Sequence, residues 1–185
     1  IFHKDDDKNQ NVFSYWKSRG FQPYLMRNRM STISTKFNIE HTNKEYAGFA
    51  KSNHALAVQE MISNTFDCYL GDIPSLSEVR QAIDEKKIIS VENIDGQIDG
   101  VLHIDRKHNV YYILHLVVDP RARKKGYAKE MLLYLDSIIP KDEKIKIQLW
   151  VREDNLPAIC LYENAGFQYD GWKSIGFLYQ PENIN

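Results

Sequence analysis

Cysteine is nearly missing from this chain of 185 residues: Cys68 and Cys160 stand far apart, with no paired metal-ligand spacing. That argues against a disulfide framework and against a zinc site, and a reducing compartment, the cytoplasm, is the simpler expectation. Long apolar runs are missing as well. Nothing approaches the ~18 residues of a membrane-crossing helix, and the N-terminus lacks the basic start and apolar middle of a signal peptide. An excess of one charge is also lacking, because 24 Lys and Arg face 25 Asp and Glu. No overall field therefore favours nucleic acid or a membrane surface, and any anion site has to be local. The chain starts at Ile1 instead of methionine and reads as a piece cut from something longer. What is present is ordinary globular material, 43% apolar and 12% aromatic, sized for one domain or one domain with an appendage.

Val12 to Trp16 reads as a short helical turn ending near Gly20, and Phe21 to Met30 as extended chain, with the Ser/Thr cluster at Ser31 to Thr35 as a linker. A short strand is expected from Phe37 to His41, then a helix whose Leu56, Val58, Met61 and Ile62 share a face. Gly71 to Pro74 breaks the chain, and Ser75 with Glu78 has the spacing of a capping box that opens a second helix through Ile83. Ile88 to Glu92 and Ile98 to Ile104 form a hairpin about Asp95-Gly96, and Val110 to Val118 is a nearly continuous apolar strand ending at Asp119-Pro120. Tyr127 to Ile139 carries Ala128, Met131, Leu132 and Leu135 at helical spacing. Ile145 to Val151 alternates as a strand, Asp154 or Asn155 caps the next helix, and Gly166 ends it. Phe167 to Tyr179 closes the chain as strand material turning near Asp170-Gly171. From Phe37 onward the order is β-α-α-β-β-β-α-β-α-β-β, an α/β fold with a mixed sheet and helices on both faces.

The chemistry concentrates after the apolar strand. Asp119 to Ala128 reads Asp-Pro-Arg-Ala-Arg-Lys-Lys-Gly-Tyr-Ala and runs into an amphipathic helix. Free N–H groups at a helix start, helped by the helix dipole, suit a pyrophosphate. Gly126 lets a bulky phosphate approach the backbone, Ala128 keeps the first turn thin, and Lys124 and Lys125 add positive charge. The bland alternative is a solvated basic loop leading into a surface helix. The glycine spacings of a nucleotide P-loop and of a dinucleotide fingerprint are both absent.

Arg123-Lys124-Lys125-Gly126-Tyr127-Ala128 resembles the Arg/Gln-x-x-Gly-x-Gly/Ala signature of the GNAT family of N-acetyltransferases. Asn155, Ala158, Leu161, Tyr162, Gly166 and Phe167 resemble a second motif of that family, in order and at the expected distance. The resemblance runs from Phe37 to Gln180, with specific matches between Leu116 and Phe167. It implies a mostly antiparallel, twisted sheet with splayed central strands, and acetyl-CoA as co-substrate. Arg123, Lys124, Lys125, Gly126, Tyr127 and Ala128 would then hold the pyrophosphate, while backbone groups of Leu116, Val117 and Val118 would pair with the pantetheine arm. Asn155 would reach the cofactor or cap its helix. An N–H of Val117 or Val118 would stabilise the oxyanion, and Tyr162 stands where the family keeps its general acid. The plain alternative for Tyr162 is a core tyrosine.

An amine of pKa ~10.4 costs about 4.6 kcal/mol to deprotonate at pH 7, so a base is expected. Many relatives that acetylate protein amines carry a glutamate where this chain has Trp150. His115 on the central strand is the substitute candidate, ahead of Glu92 and His103. The acceptor implied is a primary amine, of a small molecule or a peptide, held by the loops around 53–74 and 169–179. Asp67, Asp72 and Glu78 either attract a cationic amine or are solvated surface. A catalytically silent CoA-binding regulatory module would share the same cradle and stays the alternative, and oligomeric state is open.

Residues 8–22 can be laid on 154–168 without a gap: Asn9 falls on Asn155 and Gly20 on Gly166, an offset of 146 residues. Such a period suggests a duplicated unit. Residues 1–33 are thus expected as an N-terminal appendage, the last strand-helix-strand of an upstream GNAT-like domain, and 34–185 as the acyltransferase domain. Chance is the alternative, since helix-Gly-Phe endings are common. Phe13, Trp16 and Phe21 must in either case bury themselves against the main domain or a neighbouring chain.

Overall fold

The computed structural model describes residues 2–4, 10–37, 39, 46–140 and 143–180. Strand β1 (Phe2–Lys4), helix α1 (Gln10–Lys17) and strand β2 (Phe21–Ile33) come first, followed by β3 (Ala47–Phe49), α2 (Ala55–Ser63) and α3 (Leu76–Asp84). Then come β4 (Ile88–Glu92), β5 (Ile98–Lys107), β6 (Val110–Val118), α4 (Tyr127–Ile138), β7 (Lys146–Arg152), α5 (Leu156–Asn164) and β8 (Gln168–Tyr179). The strands form one sheet in the order β1-β8-β2-β7-β6-β5-β4-β3. All neighbours run antiparallel except β6 and β7, which are parallel.

Local chemistry places the helix starts. The Ser75 hydroxyl accepts from the Glu78 N–H, and the Glu78 carboxylate takes the Ser75 N–H at 2.7 Å, so the expected capping box opens α3. Asn155 caps α5 by accepting from the Ala158 N–H at 3.3 Å. The helices cover both faces of the sheet. Met131, Leu132 and Leu135 of α4 and Ile159 and Tyr162 of α5 pack on Leu102, Ile113, Ile147 and Leu149. On the other face Val58 and Ile62 of α2 and Val79 and Ile83 of α3 pack on Ile88, Val101 and Val117. Leu56, expected on the apolar face of α2, is exposed; Ala55, Val58 and Ile62 make that face instead.

The largest departure from the expected order lies at the two chain ends. Ser31 to Ile33 belong to β2 and not to a linker, pairing with Gln148, Ile147 and Lys146 of β7. Polar composition suggested a loop there, yet Thr32 and Ser34 are buried, and the Ser34 hydroxyl donates to the Glu143 carbonyl at 2.9 Å. β2 is therefore an inner strand, between β7 and β8. The closing hairpin near Asp170-Gly171 is correspondingly absent: β8 runs on as one strand, with Gly171 at φ +81°. Only glycine takes that conformation without steric cost. β2 fills the place beside β7 that a returning strand would have taken. Asp170 ties the arrangement together by accepting from Arg29 Nε at 2.9 Å and from Lys146 Nζ at 3.3 Å, a half-buried link among β2, β7 and β8. Most of the strand expected at Phe37 to His41 lies outside the described residues; Phe37 itself is in no strand and packs on Phe167 at 5.8 Å between ring centroids.

The N-terminal unit packs where its aromatics require. Phe13 and Trp16 of α1 meet Phe177 of β8 at 5.6 and 6.2 Å, and Phe21 meets Tyr179 at 5.3 Å. Gly20, at φ +80°, ends α1 as Gly166, at φ +86°, ends α5. Both helix-glycine-strand units thus turn through a glycine at positive φ, and their strands lie antiparallel side by side. Among the described residues no helix is long and apolar enough to cross a membrane.

Gly176 of β8 lies under Leu70, and a Cβ there would overlap the Leu70 side chain. Gly176→Ala is expected to lower stability by about 1–3 kcal/mol through overpacking. Urea denaturation checks this, and Leu70→Ala in the same chain should recover part of the loss.

Candidate active site

The sheet opens at the parallel junction of β6 and β7, the only one among the described residues. β6 and β7 pair from Val110 with Lys146 to Ile113 with Leu149, and pairing stops there. The cause is visible on the other edge of β6, where His115 faces His103 and Ile113 faces Ile104, leaving Leu114 as an extra, exposed residue. Such a bulge bends and twists the strand that carries it. It also exchanges the faces: Ile113 points into the core under α4 and α5, whereas His115 and Val117 are buried toward α2 and α3. Beyond it β6 and β7 diverge around a cleft of about 280 Å³, lined among others by Leu114, Leu116, Trp150, Arg152, Asn155 and Tyr162. Leu116, Val117 and Val118 keep their pairing with β5 on one edge only.

The loop expected to cradle an anion follows directly. Asp119 accepts the Arg121 N–H at 2.8 Å and both guanidinium contacts of Arg121, which hold its carboxyl down to about 2 and brace the turn. Arg123 folds back so that its Nε donates to the Val118 carbonyl at 3.4 Å. Lys124 and Gly126 both have positive φ, +63° and +90°, and the ladder of α4 opens only with the Glu130 N–H on the Gly126 carbonyl. The N–H groups of Tyr127 and Ala128 therefore precede any intrahelical bond, and successive N–H groups in a loop so shaped converge on an anion. No heavy atom lies within 4 Å of where a Gly126 side chain would start, so this side of the backbone is open. Lys124 and Lys125 are exposed beside it, and the Lys125 ammonium sits 5.8 Å from the Tyr127 ring.

A family profile described as "Acetyltransferase (GNAT) family" matches residues 57–167, which takes in the parted strands, the cradle and α5. The chain belongs to the acetyltransferase (GNAT) family. The UPF0157 protein YqkA of Bacillus subtilis is 28% identical over 131 residues, 70% of this chain but only 38% of that protein. A conserved protein of unknown function from Staphylococcus epidermidis has the same fold at TM-score 0.70 and 12% identity, over 96% of this chain and 70% of its own. The GCN5-related N-acetyltransferase of Sphaerobacter thermophilus does so at TM-score 0.68 and 14% identity, over 96% of this chain and 59% of its own. This chain thus spans well under half of the B. subtilis relative.

In this GNAT chain the residues singled out by sequence fall into two groups. Tyr162, His115, Leu116 and Asn155 line the cleft, whereas Val117 and Val118 do not, and the run from Arg123 to Ala128 forms the loop and first turn leading into α4. Tyr162 is buried against Phe167, with ring centroids 5.6 Å apart, and burial pushes its phenol well above the ordinary range. It therefore stays protonated, as a donor must. Its hydroxyl has no hydrogen-bond partner among the described residues.

His115 is built differently from a free base. Its Nε2 lies 2.7 Å from the Gly71 carbonyl and must carry the proton, so Nδ1 is an acceptor, 3.2 Å from Nδ1 of His103. Both nitrogens are occupied. His103 consequently bears its proton on Nδ1 and a bare lone pair on Nε2, which has no partner among the described residues.

Sequence reasoning named the loop around 53–74 for the wall opposite α5 but missed the part that β2 plays in it. That wall consists of the loop 66–72 and of Leu25 and Arg27 from β2. The Tyr24 hydroxyl donates to Asp67 and holds that carboxyl low, Arg27 donates to the Leu70 carbonyl at 3.0 Å, and Phe66 meets His115 edge-on at 4.7 Å. Gly71 leaves no room for a side chain against the backbone of Asp67. The glycine and its turn were legible as a break; that β2 would brace it was not. Among the described residues no group of three His, Cys, Asp or Glu side chains is placed to hold a metal.

Burial, and then the charge of its neighbour, depress His103 to about 4, and burial depresses His115 too, against the raising effect of the Gly71 bond. The unfolded chain, with histidines near ~6.5, then binds protons that the fold refuses, so stability is full above pH ~6.5 and falls as pH drops toward 4. For His103 alone the loss is on the order of 3 kcal/mol. Melting temperature against pH should show this slope, and His103→Gln should flatten it.

Proposed function

We propose that this chain transfers an acetyl group from acetyl-CoA to a primary amine. The observation that carries the reading is the parting of β6 from β7 after Ile113, with the positive-φ loop at Gly126 following β6 and the buried hydroxyl of Tyr162 in the gap. The N–H groups from Lys124 to Ala128 would hold the pyrophosphate, with Lys124 and Lys125 adding charge and Arg123 tying the loop to the end of β6. The pantetheine arm would lie along the open edge of Leu116, Val117 and Val118, completing the sheet as an added strand. Asn155, already engaged as a cap, would line the thioester end.

The amine nitrogen attacks the thioester carbonyl carbon, and the carbonyl electron pair moves to oxygen. An N–H of Val117 or Val118 stabilises that oxyanion. Collapse re-forms the carbonyl and expels the CoA sulfur with its electron pair, and Tyr162 supplies the proton. A buried phenol gives up a proton only to a base of comparable strength, and a thiolate deprived of water is such a base. Two protons leave the nitrogen: the one that frees its lone pair goes to the histidine pair that contains His115, and the one lost after attack restores the Tyr162 phenol.

Tyr162→Phe is expected to lower kcat about 100-fold or more while acetyl-CoA still binds, read as free thiol released with a panel of amines and as heat on titrating acetyl-CoA. Unchanged thiol release would remove Tyr162 from the chemistry, and no release from any amine would favour a silent CoA-binding regulatory module. Gly126→Val, which forces a branched residue into positive φ, should weaken acetyl-CoA binding about tenfold by the same titration.

A further inference from the structure

A second hollow, of about 490 Å³, lies between α3 and β5, lined by Asp72, Glu78, Glu85, Asp105, Lys87 and His103. It meets the cleft at Asp72, His103 and Leu114, which line both. Four carboxylates face one ammonium, since Lys87 bridges Glu85 at 2.8 Å and Asp105 at 2.9 Å. Asp72 makes no hydrogen bond or ion pair among the described residues and is held at φ +46° next to Gly71. The acidic lining alone would be a solvated surface. At its inner end, however, stands His103, 9% exposed, with the bare Nε2 lone pair fixed by the chain of bonds through His115 to the Gly71 carbonyl.

We infer that this groove admits the acceptor, that the acceptor is a small amine with two or more positive charges, a diamine or polyamine, and that His103 Nε2 removes its proton. The inference rests on acetyl transfer in the adjoining cleft. Once Lys87 and Lys107, whose ammonium lies 3.9 Å from Asp105, are counted, two negative charges remain in excess, more than a single lysine-type ammonium can neutralise, and they repel an amine that carries a carboxylate. One N–H proton of the inner ammonium passes to Nε2, and the freed nitrogen lone pair forms the bond to the thioester carbon. His103 is a weak base in the free protein, so the pair carries the proton only in transit: its imidazolium donates a charge-assisted bond from Nδ1 to His115, with Asp105 and Asp72 favouring that charge and the Lys87 ammonium opposing it. That proton returns to water through the groove.

The test uses the purified protein and acetyl-CoA, with free-thiol detection, and compares putrescine and spermidine with butylamine and with a lysine blocked at both backbone ends. Spermidine should exceed butylamine in kcat/KM by about tenfold or more, with the advantage shrinking in salt and in Asp72→Asn. His103→Gln should lower kcat about 100-fold at pH 7 and recover toward the parent rate as pH approaches the amine's own pKa. A merely structural role gives no such recovery. Equal rates for spermidine and butylamine would overturn the groove assignment and leave acetyl transfer standing. Spermidine binding by calorimetry, lost in Asp72→Asn, together with no thiol release from any amine would overturn the transfer reading itself.

Discussion

One extra residue in β6 governs the rest of the site. With Leu114 inserted, β6 keeps its pairing to β5 on both sides of the bulge but gives up β7 after Ile113. Backbone groups deprived of a ladder partner in a sheet interior are costly unless water or a ligand satisfies them. The cleft, the open edge at Leu116 to Val118 and the turn of His115 toward the far face all follow from that insertion. A strand with strict alternation would have put His115 on the same side as Ile113, under α4 and α5.

The second dependency is the N-terminal strand. β2 closes the sheet between β7 and β8, and its side chains reach beyond the sheet to brace the loop 66–72. That loop supplies the Gly71 carbonyl, which fixes the tautomer of His115 and through it that of His103. The order of protons in the centre of the protein is thereby coupled to a segment that sequence reading had set aside as an appendage.

How far the sequence discloses this depends on the range of the interactions. Capping at Ser75 and Asn155, the left-handed helix end at Gly166, and the apolar run of β6 are set by neighbours a few residues away, and all were legible. The bulge was not. Leu114 is as apolar as its neighbours, and only the register with β5 shows it to be surplus. Ser31 to Ser34 misled because hydroxyl side chains suit turns and buried strand ends equally, and the deciding partners, Gln148 and Glu143, lie over a hundred residues away. The histidine pair was visible as two names on two strands; that they share one proton requires the 3.2 Å contact.

The position of β2 also constrains the order in which the sheet can be completed. Both of its ladder neighbours lie from Lys146 onward, so β2 has none of these partners until more than a hundred further residues have followed. Contacts that span so much sequence form slowly, because closing the intervening loop costs entropy before any pairing rewards it. Until then Arg27, Arg29 and the bare backbone of β2 stay in water, and the cleft lacks a wall. Completion of the cleft wall therefore waits on β7 and β8, not on the loop at Gly126.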